Sequence, residues 1–97
     1  MQDLNDLYYF SQVVEQGGFS AASRVLNIPK SRLSRRISQL EENLGVRLLQ
    51  RTTRRLRLTS AGERYLRYCK EVSASARAAD EAMRQLQAEP AGPGACQ

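Results

Sequence analysis

A chain of 97 residues makes one small domain with room for an extension, too little to build both a sizeable core and an enclosed substrate cavity. Lys and Arg outnumber Asp and Glu by 15 to 10, and the excess is concentrated mid-chain: residues 1–23 hold Asp3, Asp6 and Glu15 with no base, whereas 30–57 hold Lys30, Arg32, Arg35, Arg36, Arg47, Arg51, Arg54, Arg55 and Arg57 against Glu41 and Glu42. Histidine is absent and the two cysteines stand far apart, which speaks against the usual general base, a structural zinc site and a disulfide framework; no catalytic residue, metal or cofactor is expected. With no long apolar run and no secretory pattern at the start, no membrane association is expected and the expected compartment is the cytoplasm.

In chain order, Asp3 is placed to cap a first helix in which Leu4, Leu7, Tyr8, Phe10, Val13 and Val14 form a wide apolar face, and Gly17-Gly18 stops it. Tyr8 and Tyr9 could stack on bases, but aromatics at helical spacing in so small a domain read as core. Phe19 then precedes Ser20, the expected N-cap of a short second helix carrying Ala21, Ala22, Val25 and Leu26 and ending at Asn27-Ile28-Pro29.

After Pro29 a third helix starts at Lys30 or Ser31. Leu33, Ile37, Leu40 and Leu44 make its inner stripe, and Gly45 ends it. Its opposite side is centred on Ser31, Arg35, Ser38 and Glu42, flanked by Arg32, Ser34 and Gln39. Cations and hydroxyls fill the first two turns of that outward side; Glu41 and Glu42 occupy the last. An amphipathic helix of this kind can simply be a solvated surface. Preceded by a short helix and a tight turn, however, it completes the parts of a helix-turn-helix, and its N-terminal half suits a polyanion because the helix dipole and free N–H groups favour negative charge there.

Beyond Gly45 the period changes. Val46–Arg51 and Leu56–Thr59 read as two short strands around Thr52-Thr-Arg-Arg55, with Arg57 pointing away from Leu56 and Leu58: a basic wing that can lie on a duplex backbone or reach a minor groove. Ser60 restarts a helix that runs to about Glu89, where Pro90 and the Pro/Gly tail end it. Along it Tyr65, Cys69, Val72, Ala76, Ala79, Met83 and Leu86 recur in alternating steps of four and three, an unbroken heptad seam. At ~1.5 Å per residue this helix extends ~40 Å, farther than the domain needs, so the seam asks for a partner helix rather than a fold back onto its own domain. Several seam positions are alanine, which bury little area, and Cys69 serves there as a small hydrophobe.

The order of these parts resembles the N-terminal DNA-binding domain of LysR-type bacterial transcriptional regulators. The resemblance runs from Leu4 to about Gln87 and rests on Leu4-x-x-Leu7-x-x-Phe10, Gly18-Phe19-Ser20-Ala21-Ala22-Ser23, Leu33-Ser34-Arg35-x-Ile37-x-x-Leu40-Glu41-x-x-Leu44-Gly45-Val46-x-Leu48, Arg51-Thr52 and Leu58-Thr59-x-Ala61-Gly62. It implies a mainly α fold: a winged helix-turn-helix of three helices and a two-stranded wing, followed by a long helix that pairs antiparallel with a twofold mate. It also implies that residues matching Lys30, Ser31, Ser34 and Arg35 enter the major groove, while those matching Ser20, Arg51, Thr52 and Arg54 lie at the backbone or in the wing. The family often has Gln-Pro where this chain has Lys30-Ser31, so no base preference carries over there. Family members usually continue into a ligand-binding region about two domains long, whereas this sequence stops at Gln97, so no small-molecule effector site is expected within it.

The expected organisation is a DNA-binding unit over 1–59, a dimerisation helix over 60–89 and a flexible tail over 90–97. The expected function is sequence-specific recognition of double-stranded DNA by a homodimer on a pseudo-palindromic operator. The helix 31–44 lies in the major groove and the wing 47–58 at the backbone or minor groove. Arg35 and Ser34 discriminate bases, with Lys30 and Ser31 next; Ser20, Arg32, Ser38, Arg51, Thr52, Arg54 and Arg55 hold the backbone. The rival reading is an interaction protein that acts through the long helix alone, pairing with a full-length relative to block or titrate it.

Overall fold

The computed structural model describes residues 2–51 and 56–88, with the backbone alone at Arg51. Its elements run α1 (Leu4–Gln16), α2 (Phe19–Leu26), α3 (Lys30–Leu44), β1 (Leu49–Arg51), β2 (Leu56–Leu58) and α4 (Ser60–Ala88). This is the mainly α winged helix-turn-helix with a long following helix that the sequence leads one to expect.

Each boundary has a local cause. The Asp3 carboxylate accepts the Asn5 N–H at 2.9 Å and caps α1. At the other end Gly17 takes φ 85°, and the N–H groups of Gly17 and Gly18 donate to the carbonyls of Val14 and Val13, so two of the free carbonyls of the last turn are satisfied. α2 starts two residues earlier than a cap at Ser20 predicts. Gly18 occupies the cap position without a side-chain bond and its carbonyl accepts the Ala22 N–H, so Ser20 lies inside the first turn instead of capping it. Asn27, at φ 58°, ends α2, and the Ser23 hydroxyl donates across the turn to the Ile28 carbonyl.

β1 and β2 pair antiparallel in the register Leu49 with Leu58, Gln50 with Arg57 and Arg51 with Leu56. The first strand is shorter than the apolar run predicts, because Arg47 and Leu48 are held by bonds to Thr59 and Glu41. The Leu48 carbonyl accepts the Thr59 N–H at 3.0 Å, and the Thr59 hydroxyl accepts the Gly62 N–H at 2.9 Å, so Thr59 caps α4. Gly62 faces Leu48 so closely that a Cβ built on it would stand 2.0 Å from the Leu48 carbonyl oxygen. Only glycine admits that approach.

Phe10, Val13, Ala22, Leu33, Ile37, Leu40, Leu48, Leu49 and Cys69 form one core, to which all three short helices, the wing and α4 contribute. At roughly 1.5–3 kcal/mol for each large apolar side chain fully buried, this cluster dominates the fold's stability. Phe10 and Tyr65 meet with ring centroids 5.9 Å apart, which seats the first turns of α4 on α1. Tyr8, expected in the core, is 45 % exposed on the far edge of α1, and Val25 of α2 is likewise exposed, because the inward arcs of these helices are filled by Phe10 with Val13 and by Ala22. After Cys69 no described residue of α4 is buried, and the described molecule measures 61 × 26 × 18 Å.

Candidate nucleic-acid interface

α3 divides its residues as the periodicity predicts. Leu33, Ile37 and Leu40 are fully buried, while Lys30, Ser31, Arg32, Arg35 and Ser38 are exposed and Ser34 is half-buried. The helix has no side-chain cap at Pro29, so its first-turn N–H groups lie beside Lys30, Ser31 and Arg32 at the positive end of the helix dipole. Neither Arg32 nor Arg35 is in an ion pair among the described residues. The last turns differ: Gln39 donates to Glu42 and Asn43, and Asn43 to Gln2, so amides and a carboxylate bond to one another there. Only the N-terminal half of the outward face offers cationic donors, and these are suited to phosphates and base edges.

Two charged residues of α3 leave that face. Glu41, expected outward in the last turns, is 7 % exposed; its Oε2 accepts the N–H groups of Leu48 at 2.8 Å and Leu49 at 2.9 Å. The buried carboxylate serves these two donors in place of a carbonyl. Arg36 points toward α1: its Nε donates to Asp6 at 2.8 Å, its Nη2 to Asp3 at 3.3 Å, and its guanidinium carbon lies 5.1 Å from the Tyr9 ring centroid. The Asp6 hydrogen bond pushes the Arg36 pKa above its ordinary value, against the opposing effect of burial.

Ser20 is exposed on the first turn of α2, and Arg57 is exposed on β2. Thr52, Arg54, Arg55 and the side chain of Arg51, assigned to the wing from the sequence, lie outside the described residues.

The heptad seam splits in two. Cys69 is 1 % exposed and Tyr65 packs on Phe10, so these two belong to the domain's own core and not to a free seam; the domain surface over α1 is wide enough to cover them. Burial raises the Cys69 thiol pKa to about 11 and, together with the nearby Cys69 and Asp6, the Tyr65 hydroxyl to about 12; neither is a reactive group at neutral pH. Val72, Met83 and Leu86 are 39 %, 57 % and 62 % exposed, with Ala76 and Ala79 exposed between them and Tyr68 beside them.

Sequence reasoning overlooked Arg36, Glu41 and Gly62. On a helical wheel Arg36 and Glu41 fall roughly 60° and 80° either side of Leu33, at the borders of the apolar stripe, and a charge at such a border signals a specific partner better than solvent. Among the described residues no cluster of side chains could hold a metal ion, and no helix is long and apolar enough to cross a membrane.

Comparison with known proteins converges. The family model for "Bacterial regulatory helix-turn-helix protein, lysR family" matches residues 4–63. An HTH-type transcriptional regulator of Xanthomonas campestris pv. campestris is 48% identical over 90 residues, covering 93% of this chain and 26% of the relative. Among solved structures, the BenM DBD in complex with catB site 1 DNA superposes with a TM-score of 0.84 at 30% identity, covering 92% of this chain and 99% of that one. The full-length Vibrio cholerae virulence activator AphB, a member of the LTTR protein family, gives 0.77 at 38% identity, covering 84% and 28%. The chain spans about a quarter of the length of the curated relatives it matches.

Proposed function

Because the chain belongs to the lysR family of bacterial regulatory helix-turn-helix proteins, we propose that it is the DNA-reading part of a transcriptional regulator acting in the cytoplasm at the nucleoid. The observation that carries this reading is the division of α3: Leu33, Ile37 and Leu40 are sealed inside while Lys30, Ser31, Arg32 and Arg35 stand outside at the helix N-terminus. An α-helix fits the B-DNA major groove, and arginine recognises guanine through a two-pronged bond that no other base pair reproduces. Arg35 and Ser34 discriminate bases, assisted by Lys30 and Ser31. Ser20, Arg32 and Ser38, with Arg51, Thr52, Arg54 and Arg55 of the wing, hold the phosphate backbone. The similarity to a DNA-bound relative over almost the whole chain supports this placement.

The unit 1–59 reads DNA and 60–89 pairs two copies. Pairing through Val72, Ala76, Ala79, Met83 and Leu86 gives a homodimer with one α3 per half-site of a pseudo-palindrome, in adjacent major-groove turns or farther apart if the paired helices splay the domains.

Selection of bound duplexes from a random pool tests the proposal. Recovery of a two-half-site motif, with affinity falling steeply as salt rises, is the expected result. Recovery of no motif, with no salt-dependent binding, overturns it. That outcome favours the second reading, an interaction protein acting through α4, which the solvent-facing Met83 and Leu86 support.

A further inference from the structure

Arg36 lies in the middle of the most basic segment of the chain, yet its guanidinium is already paired with carboxylates. Its guanidinium faces two carboxylates, Asp6 at 2.8 Å and Asp3 at 3.3 Å, so the local charge is already negative where a DNA contact would need it positive. The Asp3 carboxylate is used twice: one oxygen caps α1 through the Asn5 N–H and the other receives Arg36. The start of α1 and the second turn of α3 are therefore joined in one hydrogen-bonded unit, covered on one side by Tyr9.

Apart from the exposed bond of Asn43 to Gln2, what these helices share is apolar: Leu33, Ile37 and Leu40 of α3 belong to one core cluster with Phe10 and Val13 of α1. Such contacts are non-directional; they fix how far apart two helices lie better than how each is rotated about its axis. A planar guanidinium bonded to two acids and lying over a ring is directional. It adjoins Arg35 in sequence and stands one turn from Arg32, so any rotation of α3 that swings those side chains must break it.

Resting on the DNA-reading proposal above, we infer that Arg36 is a positioning residue for sequence discrimination: clamped by Asp3 and Asp6, it sets the rotation of α3 that presents Ser34 and Arg35 to base edges. Arg36→Met keeps most of the stem and loses the fork. Asp6→Asn keeps the shape and loses the charge.

The experiment measures affinity of the unaltered chain and of Arg36→Met, Arg36→Lys, Asp6→Asn and the double variant Arg36→Met/Asp6→Asn, for the duplex recovered by selection and for a scrambled one, across a salt series. The expected result is a drop of about tenfold in the ratio of the two affinities for Arg36→Met, as expected for mispositioning worth about one mismatched base pair. Asp6→Asn should give a smaller loss, the double variant no more than Arg36→Met, and Arg36→Lys a partial recovery, all with the salt slope unchanged. Equal losses on both duplexes with a slope shallower by about one counterion would make Arg36 a phosphate ligand and overturn the inference. An unchanged ratio in Arg36→Met and Asp6→Asn would overturn it too. If Arg36→Met does not fold, Asp6→Asn decides: loss of selectivity upholds the clamp and an unchanged ratio removes it. If the unaltered chain prefers no duplex, the failure lies with the DNA-reading proposal itself, and the clamp is overturned as a device for discrimination.

Discussion

The Glu41 carboxylate on α3 receives the buried N–H of Leu48, 2.8 Å away, and through the same oxygen that of Leu49. A single acidic side chain thus fixes how the chain leaves the third helix and enters the wing. Glu41→Ala strands two buried donors and should lower unfolding free energy by about 3 kcal/mol; Glu41→Gln, whose amide oxygen can still accept, should lose about 1 kcal/mol. Urea titration followed by circular dichroism measures both. Equal losses for the two variants would show that packing, and not acceptance of the N–H pair, is what Glu41 contributes.

Gly62→Ala should destabilise the fold by about 3 kcal/mol or more, since the new methyl would lie 2.0 Å from the Leu48 carbonyl oxygen and 2.9 Å from its carbon, both backbone atoms with little freedom to move. Thermal melting reads the effect directly. A melting temperature within a degree of the unaltered chain would mean that α4 can lift from Leu48 without cost.

For DNA, Arg35→Ala should cost about 1–3 kcal/mol on the selected duplex and much less on a scrambled one. Fluorescence anisotropy against both duplexes makes the comparison. A uniform loss would reassign Arg35 to the backbone.

Self-association should depend on the outer half of α4. Met83→Asp with Leu86→Asp places two charges on the exposed stripe and should weaken pairing at least tenfold without lowering the helical signal of the domain. Sedimentation equilibrium over a concentration series provides the measurement. An unchanged dimer would move the pairing surface elsewhere.

Alkaline pH should weaken the fold through Cys69. Burial holds the thiol protonated up to about 11 in the folded chain, against 9.0 for an ordinary thiol, so between these values the unfolded chain releases a proton that the folded one keeps. The stabilisation is complete below pH 9 and is lost as pH rises toward 11, of the order of 2 kcal/mol. Cys69→Ala should flatten that part of the stability profile. An equally steep fall in the variant would assign it to other groups, Tyr65 first.

Much of this architecture was legible because periodic burial is written in residue type. Leu33, Ile37 and Leu40 could hardly face water together, and Gly17 and Gly45 mark ends where the backbone turns left-handed. What escaped were partnerships between distant groups. Glu41 binds backbone seven and eight residues ahead, Arg36 binds acids about thirty residues behind, and Gly62 is needed for what approaches it rather than for its own conformation. The seam was misjudged at its near end for a related reason: Tyr65 and Cys69 share the spacing of Val72 and Met83, and only the presence of α1 above them decides which neighbour they meet.

The contact between Gly62 and Leu48 is also a fulcrum. α4 has 29 residues, so at ~1.5 Å each a tilt of ~10° at its base sweeps the tip sideways by roughly 7 Å, about two base-pair steps of a duplex. In the proposed dimer, the close fit of Gly62 on the Leu48 carbonyl would set the angle at which α4 leaves the domain, and with it the distance between paired sites on DNA.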